Sequence, residues 1–232
     1  MGLFLLLGGT AWASGIDHPS PITTAGQFRS VLEIGISGRD VDFENKTEVD
    51  TTSRGVLYRG EYGLGDGLSL FAGAGLQGLE NDSGFNGDLG QTFQGGVRLR
   101  IFRHEQTDYG LVLRYQWIQS EDEGVSGAPE LDIKSTWNVY EAALGFSTRI
   151  GESRFYAGGI ASFLDGEWKT TNAFGPDQRI SFEAREPFGM FFGADADIFG
   201  GIVAGIEFNL IHETSVTIRL AHTLGGGGTG NH

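Results

Sequence analysis

RGVLYRGEYGLGDGLSLFAGAGLQGL, residues 54–79, alternates between two faces along both of its halves. On the first arm Val56, Tyr58, Gly60, Tyr62 and Leu64 take one face, and Leu57, Arg59, Glu61 and Gly63 take the other. After Gly65-Asp66-Gly67 the alternation restarts, with Leu68, Leu70, Ala72, Ala74 and Leu76 opposed to Ser69, Phe71, Gly73, Gly75 and Gln77. A period of two marks a strand, and a Gly-Asp-Gly break between two such runs marks a tight hairpin. Each arm holds about ten residues, the length of a tilted transmembrane strand. Strands of soluble sheets are usually about five or six residues long. One face is apolar and aromatic, while the other mixes Arg, Glu, Ser, Gln and Gly. The spacing therefore predicts an apolar face toward lipid and a polar face toward a lumen.

The remaining composition agrees with that hairpin. Of 232 residues 39 are Gly, and 12% are aromatic. Many glycines with many aromatics and few prolines suit strands that curve and pack closely. There are no cysteines, so a secreted fold of this size needs another source of stability. A closed, hydrogen-bonded barrel supplies one. The formal charge of −14 argues against nucleic acid as a partner, because phosphate binding needs a basic surface.

Along the chain, residues 1–13 (MGLFLLLGGTAWA) read as a secretory signal peptide, with an apolar core and an Ala11-Trp12-Ala13 cleavage pattern but without the usual basic start. Residues 14–26 read as a loose leader. Residues 27–224 read as an outer-membrane β-barrel, and residues 225–232 as a flexible Gly-rich tail. Within the barrel the clearest strand is residues 91–102, where Phe93, Val97, Leu99 and Ile101 alternate with Gln94, Gly96, Arg98 and Arg100. An eighth strand is expected somewhere in residues 180–198, bulged near Pro187. Acidic stretches at residues 39–53, 79–90, 121–135 and 165–178 read as long loops alternating with short turns. Long loops on one side and short turns on the other fit an antiparallel, up-and-down transmembrane barrel whose acidic loops face outward. An even strand number leaves ten or eight, and ten is favoured.

The inward positions carry charges of both signs. The set is Glu33, Arg59, Glu61, Arg98, Arg100, Arg114, Glu141, Asp195, Asp197, Glu207 and Arg219, with Arg29 and Arg149 on the same face of their strands. In a narrow lumen such charges most simply neutralise one another, since an unpaired buried charge costs several kcal/mol. Tyr58, Tyr62, Tyr109, Tyr115, Trp117, Trp137 and Tyr140 fall toward strand ends and read as interface girdle residues.

Taken together, the EYGLGDGLSLFAGAG hairpin, QGGVRLRIF and the closing IEFNLIHETSVTIRLAHTL resemble the small outer-membrane β-barrels of Gram-negative bacteria, the OmpA-barrel and opacity-type porin group. The resemblance implies residence in the bacterial outer membrane, contact with its lipids and insertion by the barrel-assembly machinery. Members of the group usually end the last strand in an aromatic residue. Here it ends at Leu224, although Ile218, Leu220 and Leu224 keep the apolar alternation. The resemblance implies no catalytic residue.

Other motifs have bland explanations. Residues 73–78 match G-x-G-x-x-G, yet a dinucleotide site needs a helix directly afterwards, and Asn81-Asp82-Ser83-Gly84 is loop. His212-Glu213 begins like a zinc-protease helix, but Val216 stands where the second His belongs. His212, Glu213 and Ser215 could form a hydrolase set only through a geometry that sequence does not show. Asp195 and Asp197 share a face, as paired acid–base carboxylates would, or simply join the charge network. The reading is therefore a barrel with no catalytic residues, cofactor or metal. Its function is that of a structural or surface-contact element, or a narrow small-solute pore, with a possible surface partner at the acidic loops. The alternative is an outer-membrane enzyme acting on lipid or peptide at the outer rim. The sequence is silent on oligomeric state.

Overall fold

The computed structural model describes residues 15–44, 48–82, 84–123, 131–172, 176–211 and 213–224. The expected signal peptide, the Gly-rich tail and His212 lie outside them. The described residues form eleven antiparallel strands and no helix: β1 (Phe28–Phe43), β2 (Glu48–Gly65), β3 (Leu68–Asn81), β4 (Gly90–His104), β5 (Thr107–Glu123), β6 (Leu131–Ile150), β7 (Ser153–Asn172), β8 (Gln178–Ala184), β9 (Phe188–Phe199), β10 (Ile202–Leu210) and β11 (Thr214–Leu224). Ten of them close a ring. Each pairs with the next in sequence, except that β7 passes to β9, and β11 returns to β1 from Phe28↔Leu224 to Gly38↔Thr214. The short β8 stands above this ring, joining the far ends of β7 and β1.

The strands that make the ring are long. β1 has 16 residues, β2 has 18, and β6 and β7 have 20 each. About 9–11 residues suffice to cross a bilayer, so half of β6 or β7 stands outside it. The side-chain pattern marks the boundary. Along β1, Leu32, Ile34 and Ile36 face outward and Val31, Glu33 and Ser37 inward. Beyond the buried Arg39 the polarity reverses, with Val41 and Phe43 inside and Asp40, Asp42 and Glu44 outside. The lower part has its apolar side toward lipid. The upper part is an ordinary water-facing barrel with an apolar core.

That reversal explains where the sequence reading differs from the structure. Of the stretches read as long loops, residues 79–90 are mostly loop between β3 and β4, whereas the described parts of 39–53, 121–135 and 165–178 are mostly strand, their acidic residues lying largely on the outward face of the upper barrel. The stretch read as one bulged strand at residues 180–198 is two strands, β8 and β9, broken at residues 185–187. Trp137 is not a girdle residue. It faces inward, 6% exposed, and packs edge-on against Phe182 at 5.6 Å in the upper core.

The apolar belt is continuous around the ring, with exposed Ile34, Tyr58, Leu70, Leu113, Leu144, Phe163, Phe192 and Ile218. On β5, Tyr109 and Trp117 are eight residues apart and each stacks against a neighbouring strand's Phe, Phe102 and Phe93 respectively. At about 3.3 Å per residue and a tilt of about 40°, that separation stands roughly 20 Å tall, close to the height of a lipid-facing band. The short turns lie at one end of the ring. In the β9–β10 turn both Gly200 and Gly201 have positive φ, 56° and 80°, the demand of a two-residue primed hairpin.

Candidate functional site

The lumen of the membrane-spanning part is filled by the chain's own N-terminal segment. The sequence reading left residues 14–26 as a loose leader, whereas residues 15–20 are buried inside the barrel. The segment enters at the short-turn rim, where the Gly26 and Gly63 amides donate to the Gly63 and Gln27 carbonyls. It then climbs to mid-barrel. Two inward glycines make room for it. A Cβ on Gly110 would stand 2.5 Å from the Pro19 carbonyl oxygen, and one on Gly63 would overlap the carbonyl of Thr24.

At the top of the segment Asp17 is wholly buried among arginines from four strands. Its carboxylate lies 2.6 Å from Arg29, 2.7 Å from Arg59, 3.4 Å from Arg219 and 3.7 Å from Arg98. Further acids complete the cluster. Glu33 is 2.9 Å from Arg59, Glu61 is 3.4 Å from Arg98, and Asp195 and Glu207 are 3.0 and 3.3 Å from Arg219. Phe71 lies beneath the guanidinium of Arg98 at 4.9 Å and that of Arg59 at 5.4 Å. Tyr156 does the same for Arg219 at 5.1 Å, and its hydroxyl donates to Glu207 at 3.0 Å. A planar guanidinium can meet a carboxylate at its edge and an aromatic ring on its face together.

The backbone of the segment is held as closely as its side chains. The amides of Ile16 and Asp17 donate to the two oxygens of Glu207 at 2.6 and 2.7 Å. Arg98 donates to the carbonyls of Ile16, at 2.9 Å, and of His18. Arg114 donates to the Gly15 carbonyl at 2.9 Å while paired to Glu141. The His18 ring meets Asp195 at 2.7 Å.

Nine of the eleven charged residues expected in the lumen lie buried there: Glu33, Arg59, Glu61, Arg98, Arg114, Glu141, Asp195, Glu207 and Arg219. Arg100 and Asp197 are instead at the short-turn rim. Arg100 pairs with Asp108 at 3.3 Å and Asp197 with Arg149 at 3.6 Å. Asp195 and Asp197 therefore have different surroundings and do not form a carboxylate dyad. Of the imagined hydrolase set, Glu213 and Ser215 face the lumen. Glu213 is paired with Arg39 at 3.2 Å, and Ser215 accepts from Asn209 at 2.7 Å.

Asp17, His18 and Asp195 are close enough to share a cation. Arg29 and Arg219 already neutralise both carboxylates, so a divalent ion there would face guanidiniums at short range. Above the segment, the lumen is closed a second time by an apolar cap built from Val41, Phe43, Val49, Leu79, Phe85, Trp137, Leu164 and Phe182, with Trp168 against it.

The chain matches no protein-family model and no curated protein. Among solved structures it is similar to the translocator domain of the autotransporter NalP from Neisseria meningitidis, with 10% identity and a TM-score of 0.53 over 88% of this chain and 90% of that one. It is also similar to the outer-membrane protease OmpT from Escherichia coli, with 10% identity and a TM-score of 0.52 over 89% of this chain and 100% of that one. The fold is that of a bacterial outer-membrane β-barrel. Together with the apolar belt, this places the ring in the outer membrane, in contact with its lipids. At such low identity these likenesses carry the architecture and leave the chemistry of the lumen to be read from its own residues.

Proposed function

We propose that this protein is a non-enzymatic outer-membrane barrel, closed in its resting form, that presents an acidic extension as a surface-contact element. The observation that carries this reading is the double closure of the lumen: Asp17 locked among four arginines below, and the aromatic cap above. Each catalytic candidate of the sequence with a described side chain is engaged by a neighbour in an ion pair or hydrogen bond. The upper barrel exposes Asp40, Asp42, Glu44, Glu48 and Asp50 from one hairpin and Asp165 and Glu183 from β7 and β8. Such a surface favours a basic partner and repels anionic ones. The alternating Val216, Ile218 and Leu220 of β11 suit recognition by the barrel-assembly machinery, and residues 1–13 suit export by a cleaved signal.

Planar-bilayer recording of the refolded protein tests the closed lumen, the expected result being little or no current. A large, steady conductance overturns it in favour of an open pore. Hydrolysis of lipid or peptide by the purified barrel would replace it with the enzymatic reading. For the surface, capture of a basic peptide that weakens with salt and on Asp40→Asn with Asp42→Asn is the expected outcome.

A further inference from the structure

The lumen holds residues 15–18, Gly-Ile-Asp-His, as a binding site holds a ligand. Three features show this. First, the grip is on peptide units as well as side chains: Glu207 takes two successive amides, and Arg98 and Arg114 take carbonyls on either side. Second, each side chain has its own receptor. Ile16 is buried in an apolar group with Phe71 and Val112, Asp17 sits among the arginines, and His18 meets Asp195. Third, the wall closes without the segment, because β11 pairs with β1 along eleven consecutive residue pairs.

We propose that the lumen is a receptor for an extended acidic peptide with an apolar residue before its aspartate, and that residues 15–18 are its tethered self-ligand. The proposal rests on the closed-lumen reading and names what opens it. A free peptide would enter from the short-turn, periplasmic side. The aromatic cap blocks the other end, and a cavity of about 280 Å³ beside the segment, lined in part by Ile22, Arg29, Arg154 and Asp195, lies at the periplasmic end. Small dicarboxylates would satisfy the arginines but leave Glu207 without its two amides, so the site selects peptide over simple anion.

The test uses the full chain with Ile16→Gly, Asp17→Ser and His18→Gly together, which removes the self-ligand and keeps the length. N-acetylated Gly-Ile-Asp-His, added on the periplasmic side, is expected to block the current through this variant and to raise its melting temperature, as a ligand of the native state must. Gly-Ile-Asn-His is expected to act at least about tenfold more weakly, the loss of one charge-assisted contact. Succinate is expected to be weaker still. If neither peptide blocks or stabilises, or both act equally, the receptor is overturned. A large current through the unmodified protein instead overturns the closed lumen, so the two failures are distinguishable. Where the triple variant does not fold, Asp17→Asn serves. Gly-Ile-Asp-His should displace its weakened segment and raise the melting temperature, and no rise counts against the receptor.

Discussion

The Asp17 carboxylate lies 2.7 Å from the Arg59 guanidinium, with both side chains wholly buried, one from the N-terminal segment and one from the barrel wall. Asp17 is the charge on which the arginines of β1, β2, β4 and β11 converge. Replacing it leaves Arg29 with only Glu61 at 3.7 Å and Asp195 at 3.9 Å, while Arg59, Arg98 and Arg219 keep their wall acids. Breaking a buried pair by removing one partner costs about 3–5 kcal/mol. Asp17→Asn should therefore lower the urea midpoint by that equivalent and give intermittent current where the unmodified protein gives little. A midpoint unchanged from the parent would show that the wall acids alone neutralise the arginines.

The lipid face can be graded by depth. Leu113 lies midway between Tyr109 and Trp117 on β5, whereas Leu99 pairs with Leu68, next to the short β2–β3 turn. An arginine near the bilayer midplane costs about 2–4 kcal/mol and much less near the interface. Leu113→Arg should approach that range in refolding titrations, with Leu99→Arg clearly milder. Equal costs would move the membrane relative to the ring.

Most of the ring was legible in the sequence because outward apolar residues alternate with mostly polar, charged or glycine inward ones through the membrane-spanning parts of β1 to β6. What was not legible has a physical reason. Above Arg39 the polarity inverts, so Asp40 and Asp42 look like a loop although they line a strand. Residues 15–20 carry no periodicity, since a lumen segment is contacted on every side. Two inward glycines, Gly63 and Gly110, give the segment its space, but the sequence does not set them apart from inward Gly73, Gly75 and Gly96, which pack against neighbouring wall strands. Tyr156 and Phe71 sit on the inward face as aromatics among polar residues, and their role under guanidiniums appears only once the arginines of neighbouring strands are placed.

That space gives a sharper test of the segment's position. Gly110→Val puts a branched side chain where the Pro19 carbonyl already lies. The wall itself tolerates Val well, since β-branched residues favour strands. The variant should keep its barrel, shown by heat-modifiable gel mobility, yet lose protection of residues 15–20 against protease added on the periplasmic side. Unchanged protection would mean that the segment runs along a different path.

On the outer extension Asp40 and Asp50 stand directly opposite across β1 and β2. Their hydrogen bond and mutual repulsion raise the Asp50 carboxyl above its ordinary value. A carboxyl raised in the folded state favours folding at acidic pH and loses that contribution as pH rises through its folded value. The tip of this hairpin should thus exchange its amide hydrogens faster, relative to the chemical rate, at pH 7 than at pH 4. Asp50→Asn should flatten that dependence, by a few tenths of a kcal/mol for an exposed like-charge pair. A tip equally protected at both pH values would show that solvent screens the pair completely.

The aromatic cap makes a prediction of a different kind, because it stands outside the membrane. Phe182 of β8 is 3% exposed, 5.1 Å from the Phe43 ring and 5.6 Å from Trp137. β8 is only seven residues long and is held by pairing to the upper ends of β7 and β1. Truncating a buried Phe costs about 3–5 kcal/mol, more than so short a strand's ladder can readily absorb. Phe182→Ala should release β8 locally and leave the ten-strand ring intact, since the ring's register does not pass through β8. The expected result is proteolytic cleavage at residues 176–187 with unchanged heat-modifiable mobility of the barrel. Global unfolding at the same denaturant concentration as the cleavage would show instead that cap and ring form one cooperative unit.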